Sequence, residues 1–344
     1  MFAAYGGDVI CSVASRTVMS QVTTRTVADG ETDLRLDRWF KRHYPWVGHA
    51  KLEKLLRTGQ IRVDGGRAKA ATRLEPGQTI RIPPLGEPPK EELKPQPVRI
   101  KADPARIAEL QAAVLHKDDA VLVINKPAGL ATQGGTGQNE HLDGLLEYLR
   151  FGAAERPRLV HRLDKDTSGV ILLARSASAA AKLANALRAR DAQKLYWALV
   201  AGVPMQRQGK IVLALSKLPG AAGERMVADE EDGKNAVSLY RTIDTAGKRA
   251  AWLAMAPLTG RTHQLRVHCA ALRTPIVGDG KYGGQEAYLT GGVSRKLHLH
   301  ARAIRLPHPD GGKLQVRAPL PPHMEATWDF LGFSIEKDAD AWLE

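Results

Sequence analysis

The sequence predicts an α+β protein in two parts, a small N-terminal module of helices and short strands and a larger domain built on a large mixed sheet. Three observations lead there. From residue 97 onward strand-like stretches outnumber helical ones, with helices between some of them. Residues 83–97 (PPLGEPPKEELKPQP) are Pro-rich and charged, the composition of a linker rather than of a folded element. With 344 residues the chain is long enough for two domains and a substantial core.

In chain order, residues 1–30 read as a leader, expected to be disordered. Its first 18 residues lack the Lys/Arg-led start of a secretory signal and contain Asp8 and a single Arg. They are open to two readings, a transit peptide or an extension ahead of a true start at Met19. Residues 31–83 form a compact module. Leu36, Trp39 and Phe40 have helical spacing, and Leu52, Leu55 and Leu56 mark a second short helix ending near Gly59. On that second helix Lys51, Lys54 and Arg57 recur every third residue, a basic stripe that is either a ligand surface or a solvated face. Ile61-Arg62-Val63 alternates as a strand into the turn Asp64-Gly65-Gly66, and residues 79–82 alternate again after Pro76-Gly77. The linker is assigned to residues 84–100.

The larger domain spans residues 101–334. Residues 120–125 (AVLVIN) are a buried strand that runs into Lys126-Pro127-Ala128-Gly129 and then a Gly-rich stretch; no Gly-Lys-Ser/Thr follows, so this is not a P-loop. Leu142, Leu145, Leu146 and Leu149 share a helix face. Residues 159–175 (LVHRLDKDTSGVILLAR) place His161, Arg162, Asp164, Lys165, Asp166 and Thr167 between two apolar flanks, the second a strand. Ionic groups pinned between buried segments are costly unless they pair or serve a reaction, so the stretch reads as a salt-bridged turn or a functional loop. Asp164 is the candidate reactive carboxylate, with Arg162 its nearest charge partner in sequence. Residues 177–190 are Ala-rich and helical. Residues 194–200 form a strand whose Tyr196 is either a core residue with a satisfied hydroxyl or a site residue. In residues 260–268 (GRTHQLRVH), Leu265 and Val267 alternate with Arg266 and His268, which reads as a strand with Arg266 facing a site or the surface. Its two histidines match neither HExxH nor a Cys/His cluster, so no metal site is assigned. His298 and His300 alternate along a further strand without a ligand set. Residues 327–333 belong to a closing helix, and the acidic tail, residues 335–344, is solvated.

Lys plus Arg exceed Asp plus Glu by 50 − 37 = 13, and the pI is about 9.8. That excess favours a polyanionic partner, nucleic acid before membrane. No run approaches about eighteen apolar residues, so no membrane-spanning helix is expected. Cys11 and Cys269 give no disulfide framework and no CxxC pair, which fits a reducing, cytoplasmic setting.

The stretch HRLDKDTSGV resembles the signature of the RluA-type pseudouridine synthase family. The resemblance implies that Asp164 is the catalytic nucleophile and that Arg162 and His161 belong to the loop holding a flipped-out nucleotide. NKPAG followed by QGGTG is similar to the family's first motif, which brings in Lys126 and, with the N-terminal module, points to the RluC-like branch. KxYxALV implies that Tyr196 stacks on the target base and assists proton removal at its carbon 5. GRTHQLRVH resembles the third motif, which implies that Arg266 pairs with the catalytic Asp while Arg261 and His263 support the loop or the RNA. Residues 278–283 are then a loop near the RNA or a plain surface turn. In the module, LRLDRWF, KLEKLLRTGQIRVDG and PGQTIRI resemble the small alpha-L RNA-binding domain, with Lys51, Lys54 and Arg57 facing structured RNA. The resemblance covers about residues 33–322. It implies a cofactor-free, metal-free, monomeric enzyme that isomerises uridines in large-subunit ribosomal RNA. The competing expectations are a pseudouridine synthase acting on transfer RNA, a non-catalytic RNA-binding assembly factor, and a metal-dependent RNA hydrolase using His263 and His268.

Overall fold

The computed structural model describes residues 22–28, 31, 33–86, 102–134, 140–189, 191–218 and 225–335. The chain divides between Pro97 and Val98 into two compact units. Most of the expected linker, the question of the start at Met1 or Met19, and residues 336–344 of the tail lie outside the described residues.

The N-terminal unit contains β1 (Thr23–Thr26), α1 (Leu36–His43), α2 (His49–Arg57), β2 (Arg62–Val63), β3 (Gly66–Arg67) and β4 (Thr79–Ile82). Its sheet has the order β1-β4-β2-β3. The apolar stripes read from the sequence meet here: Leu36, Trp39, Phe40, Leu52, Leu55 and Leu56 share one core with Ile61, Ile80 and Ile82. One expectation is corrected. Residues 23–26, assigned to the leader, are a strand paired antiparallel with β4, Thr23 opposite Ile82. The segment TTRT buries little and carries no apolar alternation; only the ladder to β4 makes it a strand, and a ladder partner is not written in the local sequence.

The second unit runs α3 (Pro104–Ala112), β5 (Val114–Lys117), β6 (Val121–Lys126), α4 (Leu142–Leu145), β7 (Arg158–Leu159), β8 (Ser168–Ala174), α5 (Ala177–Ala189), β9 (Gln193–Ala201), β10 (Gln208–Lys217), β11 (Met226–Ala228), β12 (Lys234–Ala246), β13 (Ala250–Pro257), α6 (Gln264–Ala271), α7 (Gly280–Gly283), β14 (Leu299–Pro307), β15 (Lys313–Arg317) and α8 (Pro322–Leu331). A 3-10 turn, Leu146–Leu149, continues α4, and the four leucines of that face are all fully buried. The main sheet path is β11-β10-β12-β13-β9-β14-β8-β6-β5, with β15 beside β14 and β7 beside β8. Among the described strands only β14 and β8 pair in parallel, His300 opposite Ser168 and Ala301 opposite Gly169. The sheet is therefore mixed, as predicted.

That parallel contact follows directly after the polar loop of residues 161–167 and depends on a glycine. Gly169 has φ +110°, and a Cβ there would lie 2.2 Å from the carbonyl oxygen of Ala301. β9 crosses the middle of the sheet and sorts its side chains by parity. Leu195, Trp197 and Leu199 pack with Trp252 and with Met324 and Trp328 of α8. Ala198, Val200 and part of Tyr196 pack with Leu265 and Cys269 of α6. α8 covers one face and α6 the other, and the polar residues gather on the α6 face.

Residues 264–271 correct a second expectation: they are helix α6, not a strand. Residues 264–269 are all buried, so the helix has no polar face and hence no 3.6-residue stripe. In such a segment the alternation of Leu265, Arg266, Val267 and His268 mimics a strand. The closing helix α8 also begins earlier than read, with Pro322 at its first position.

Candidate active site

The loop of residues 161–167 is held from several sides. The Thr132 hydroxyl donates to the Leu163 carbonyl at 2.6 Å and accepts from the Leu163 amide at 3.2 Å. The Lys165 carbonyl accepts from the Gly129 amide at 2.9 Å and from Lys126 Nζ at 3.0 Å. His161 Nε2 accepts from the Leu172 amide of β8 at 2.9 Å. Burial, with the nearby Lys194 charge adding to it, lowers the His161 pKa to about 3. His161 is thus a neutral tie between loop and sheet.

Asp164 projects from this frame into a cleft of about 270 Å³ lined by His161, Arg162, Lys194, Tyr196, Arg261, His263 and Arg266 among others. Its side chain is 21 % exposed, and its Oδ2 lies 4.0 Å from Nε2 of His263. The other His263 nitrogen, Nδ1, is 2.7 Å from the Tyr282 hydroxyl oxygen, which accepts from the Met226 amide at 3.0 Å. His263 has φ 53° and caps α6, the left-handed turn that lets one residue face the cleft while the next enters the helix. Gln264 fixes that turn. Its Oε1 accepts from the Arg261 amide at 3.0 Å and the Thr259 hydroxyl at 2.7 Å, and its Nε2 donates to the Val237 carbonyl and the Ser238 hydroxyl.

Tyr196 stands on β9 beside Asp164. Burial, and then the Asp164 charge, push its phenol well above the ordinary value, so at neutral pH it is a ring with an intact O–H. Arg266 is buried and forks onto Asp279, with Nε to Oδ2 and Nη2 to Oδ1 both at 2.7 Å. Its guanidinium lies 5.1 Å from the centre of the Tyr282 ring. The expected pair of Arg266 with Asp164 is corrected: the direct partner is Asp279, and the Asp164 charge acts on Arg266 only through space. Residues 278–283 are accordingly not a plain surface turn. Asp279 is 1 % exposed, and a Cβ at Gly278, φ +83°, would sit 2.0 Å from the Lys296 carbonyl oxygen, so glycine permits the approach that buries it.

Lys126 is also corrected. It is fully buried, and its Nζ donates to the carbonyls of Pro127, Leu130 and Lys165 at 2.9, 2.8 and 3.0 Å. A side chain with no accessible surface cannot bind substrate; Lys126 instead ties the end of β6 to the Asp164 loop. Arg162 is exposed at the rim and borders a second lobe of about 800 Å³, shared through Asp164, His263 and Arg266 and flanked by Lys165, Lys281, Arg295 and Lys296. Arg261 is exposed at the opposite edge, its Nε donating to the Asn235 carbonyl at 3.1 Å.

The structure thus brings together Asp164, Tyr196, Arg266, Arg162, His161, Arg261 and His263, and sets Lys126 behind them. Lys51, Lys54 and Arg57 lie on α2 of the other unit. All three are exposed, and Lys51 Nζ also donates to the Leu85 carbonyl at 2.9 Å. His268 is fully buried within α6 and does not line the cleft, so it does not join His263 as a ligand. Among the described residues no group of three or more His, Cys, Asp or Glu is placed to hold a metal ion. The sequence reading missed Lys194, Gln264, Asp279 and Tyr282. Strand parity could have found Lys194, two residues before Tyr196; nothing local pairs Asp279 with an arginine thirteen residues away.

The RNA pseudouridylate synthase family matches this chain over residues 120–271. The chain is 35 % identical over 318 residues to the ribosomal large subunit pseudouridine synthase C of Haemophilus ducreyi, covering 90 % of this chain and 96 % of that protein. It is 36 % identical over 293 residues to the protein of the same name from Rickettsia conorii, covering 83 % and 94 %. Among solved structures it is similar to human RNA pseudouridylate synthase domain containing 4, with a TM-score of 0.57 and 29 % identity over 67 % of this chain and 97 % of that one.

Proposed function

Because this chain belongs to the RNA pseudouridylate synthase family and is an RNA-modifying isomerase, we propose that it converts uridines of large-subunit ribosomal RNA into pseudouridine, with Asp164 as the nucleophile. The names of the relatives, which match over nearly their whole length, support the substrate. The observation that carries the residue assignment is the fixed carboxylate of Asp164, on a clamped loop, in a cleft walled by Tyr196, His263 and Arg266.

The reaction breaks the bond from ribose to ring nitrogen 1 and joins the same sugar carbon to carbon 5, with the carbon 5 proton lost and one gained on nitrogen 1. Asp164 begins it by attacking the anomeric carbon, or by taking the proton on the neighbouring sugar carbon in a glycal route; both start from the same ionised carboxylate. A uridine within folded RNA must leave its stack to reach Asp164. Arg162, exposed at the rim, is assigned to the space it vacates. Tyr196 offers the flipped base its ring face and a neutral O–H. The raised phenol pKa favours that role over a phenolate base at carbon 5. Arg266, neutralised by Asp279, stiffens the wall and contributes its field to Asp164.

The basic residues Lys54 and Arg57 of α2 support reading the N-terminal unit as an alpha-L RNA-binding module that adds phosphate contacts. We assign the enzyme to the cytoplasm as a monomer. The deciding experiment compares Asp164→Asn with the wild type by carbodiimide and primer-extension mapping of ribosomal RNA from a deletion strain. Stops that the wild-type gene restores and the variant does not are the expected result, a loss of roughly 8 kcal/mol or more of transition-state stabilisation. Turnover retained by the variant removes Asp164 from the reaction.

A further inference from the structure

Among the described residues, Lys194 stands at the cleft without a protein partner. It precedes Tyr196 by two residues on β9, so both side chains leave the sheet on the same face. Among the described residues its ammonium has no hydrogen bond and no ion pair, although burial is sufficient to lower its pKa. Lys194 is half-buried, and a half-buried ammonium with no protein partner at the edge of a cleft is placed to meet an anion that arrives there.

Lys194 borders two spaces. One is the Asp164 cleft; the other is a groove of about 680 Å³ that shares Pro257, Thr259, Gly260 and Arg261 with it. The register explains the branch. β13 pairs with β9 as far as Met255 opposite Tyr196 but stays paired with β12 to Pro257 opposite Ser238, which leaves the β9 edge beside Lys194 unpaired on that side. Beyond Lys194 the groove offers Leu239 and Leu258, the latter 43 % exposed, and it is also lined by Arg188, Gln193 and Arg261. A cationic junction beside leucine side chains and two arginines suits a single nucleotide: one phosphodiester, then one unstacked base.

We propose that this groove receives the nucleotide adjoining the target uridine, with the phosphodiester between the two nucleotides on Lys194 and the neighbouring base against Leu239 and Leu258. The assignment rests on the proposed entry of a flipped uridine beside Asp164. It extends that reading by giving the enzyme a second subsite that holds an adjacent unpaired residue of single-stranded RNA.

The test measures binding, so it does not depend on turnover. The probe is a fluorescein-labelled 12-nucleotide single-stranded RNA with one central uridine. It is compared with two versions in which the phosphodiester on the 5′ or the 3′ side of that uridine is replaced by an uncharged methylphosphonate. Wild type should bind one of the two neutral versions about tenfold more weakly. Lys194→Gln should bind the natural probe as weakly as that and lose nothing further to the methylphosphonate. Its salt slope should fall by about 0.7, the share of one phosphate on a single strand, and Lys194→Arg should restore it. Leu258→Glu, at an exposed position, should weaken all three probes. Equal methylphosphonate penalties in wild type and Lys194→Gln, or an unchanged salt slope in a folded Lys194→Gln, overturn the proposal. Should Asp164→Asn retain turnover while Lys194 and the methylphosphonate remain coupled, the catalytic reading fails and the subsite stands.

Discussion

Arg266 and Asp279 show how much of the site's rigidity comes from one buried charge pair in its wall. Both are buried, the fork is bidentate at 2.7 Å, and Asp279 also accepts from the Tyr282 amide at 3.3 Å. Removing one charge of such a pair leaves the other desolvated and unpaired, which typically costs about 3–5 kcal/mol. Asp279→Asn keeps the shape and should lower the melting temperature by roughly 10 °C, read by calorimetry. An unchanged melt would show that Arg266 finds another partner. The conservative direction also fails at Arg266: Lys has a single ammonium and cannot reproduce the fork, so Arg266→Lys should show most of the same loss.

The loop of residues 161–167 gains its precision from elements around it rather than from its own sequence. β6 supplies Lys126, the segment after it supplies Gly129 and Thr132, and β8 meets the His161 ring. Lys126→Met keeps the buried stem and removes the head that joins three carbonyls. Loosening by even 1 Å at Asp164 is expected to reduce kcat about 100-fold while RNA affinity is preserved, as measured by single-turnover kinetics beside equilibrium binding. Full activity in this variant would mean that Thr132, Gly129 and the His161 tie to β8 suffice to hold the loop. α6 works similarly: Gln264 at its first position saturates both ends of its amide on the turn that carries Arg261 and His263.

Among the described residues of the second unit, three fully buried histidines, His268, His298 and His300, join His161 in the response to acid. Burial lowers their pKa values from 6.5 to about 4, 4 and 3. The unfolded chain therefore takes up each proton first as pH falls. Stability from these groups is fully present above about pH 6.5 and is lost progressively as pH drops toward the folded values. At pH 5 each should cost up to about 2 kcal/mol relative to pH 7.5, visible as a lower urea midpoint. A midpoint that does not move between those pH values would show that these rings protonate without unfolding. The excess of basic residues has a different consequence, salt-sensitive RNA binding. Replacing Lys54 and Arg57 of α2 by Glu should weaken binding and flatten its salt dependence if the N-terminal unit contacts phosphates; an unchanged slope would assign the basic excess to the other unit.

The local code of this chain was legible wherever a short stretch carries its own periodicity or its own exception. The leucine face of residues 142–149, the strands around residues 121–126 and 194–200, the two apolar stripes of the N-terminal helices and the charged loop holding Asp164 all appear in the sequence as they stand in the structure. Partnerships across distance were not legible. Residues 23–26 are a strand only because β4 lies beside them, and α6 shows no stripe because it is buried on every side. Asp279 is a counter-charge only because glycine at 278 lets its loop close on residue 296, and Lys126 is a clamp only because β6 ends against the Asp164 loop. Periodicity records which face of an element meets an apolar environment. The identity of the group that meets it is fixed by tertiary contact, and tertiary contact decided which charges in this protein serve the cleft and which hold it in shape.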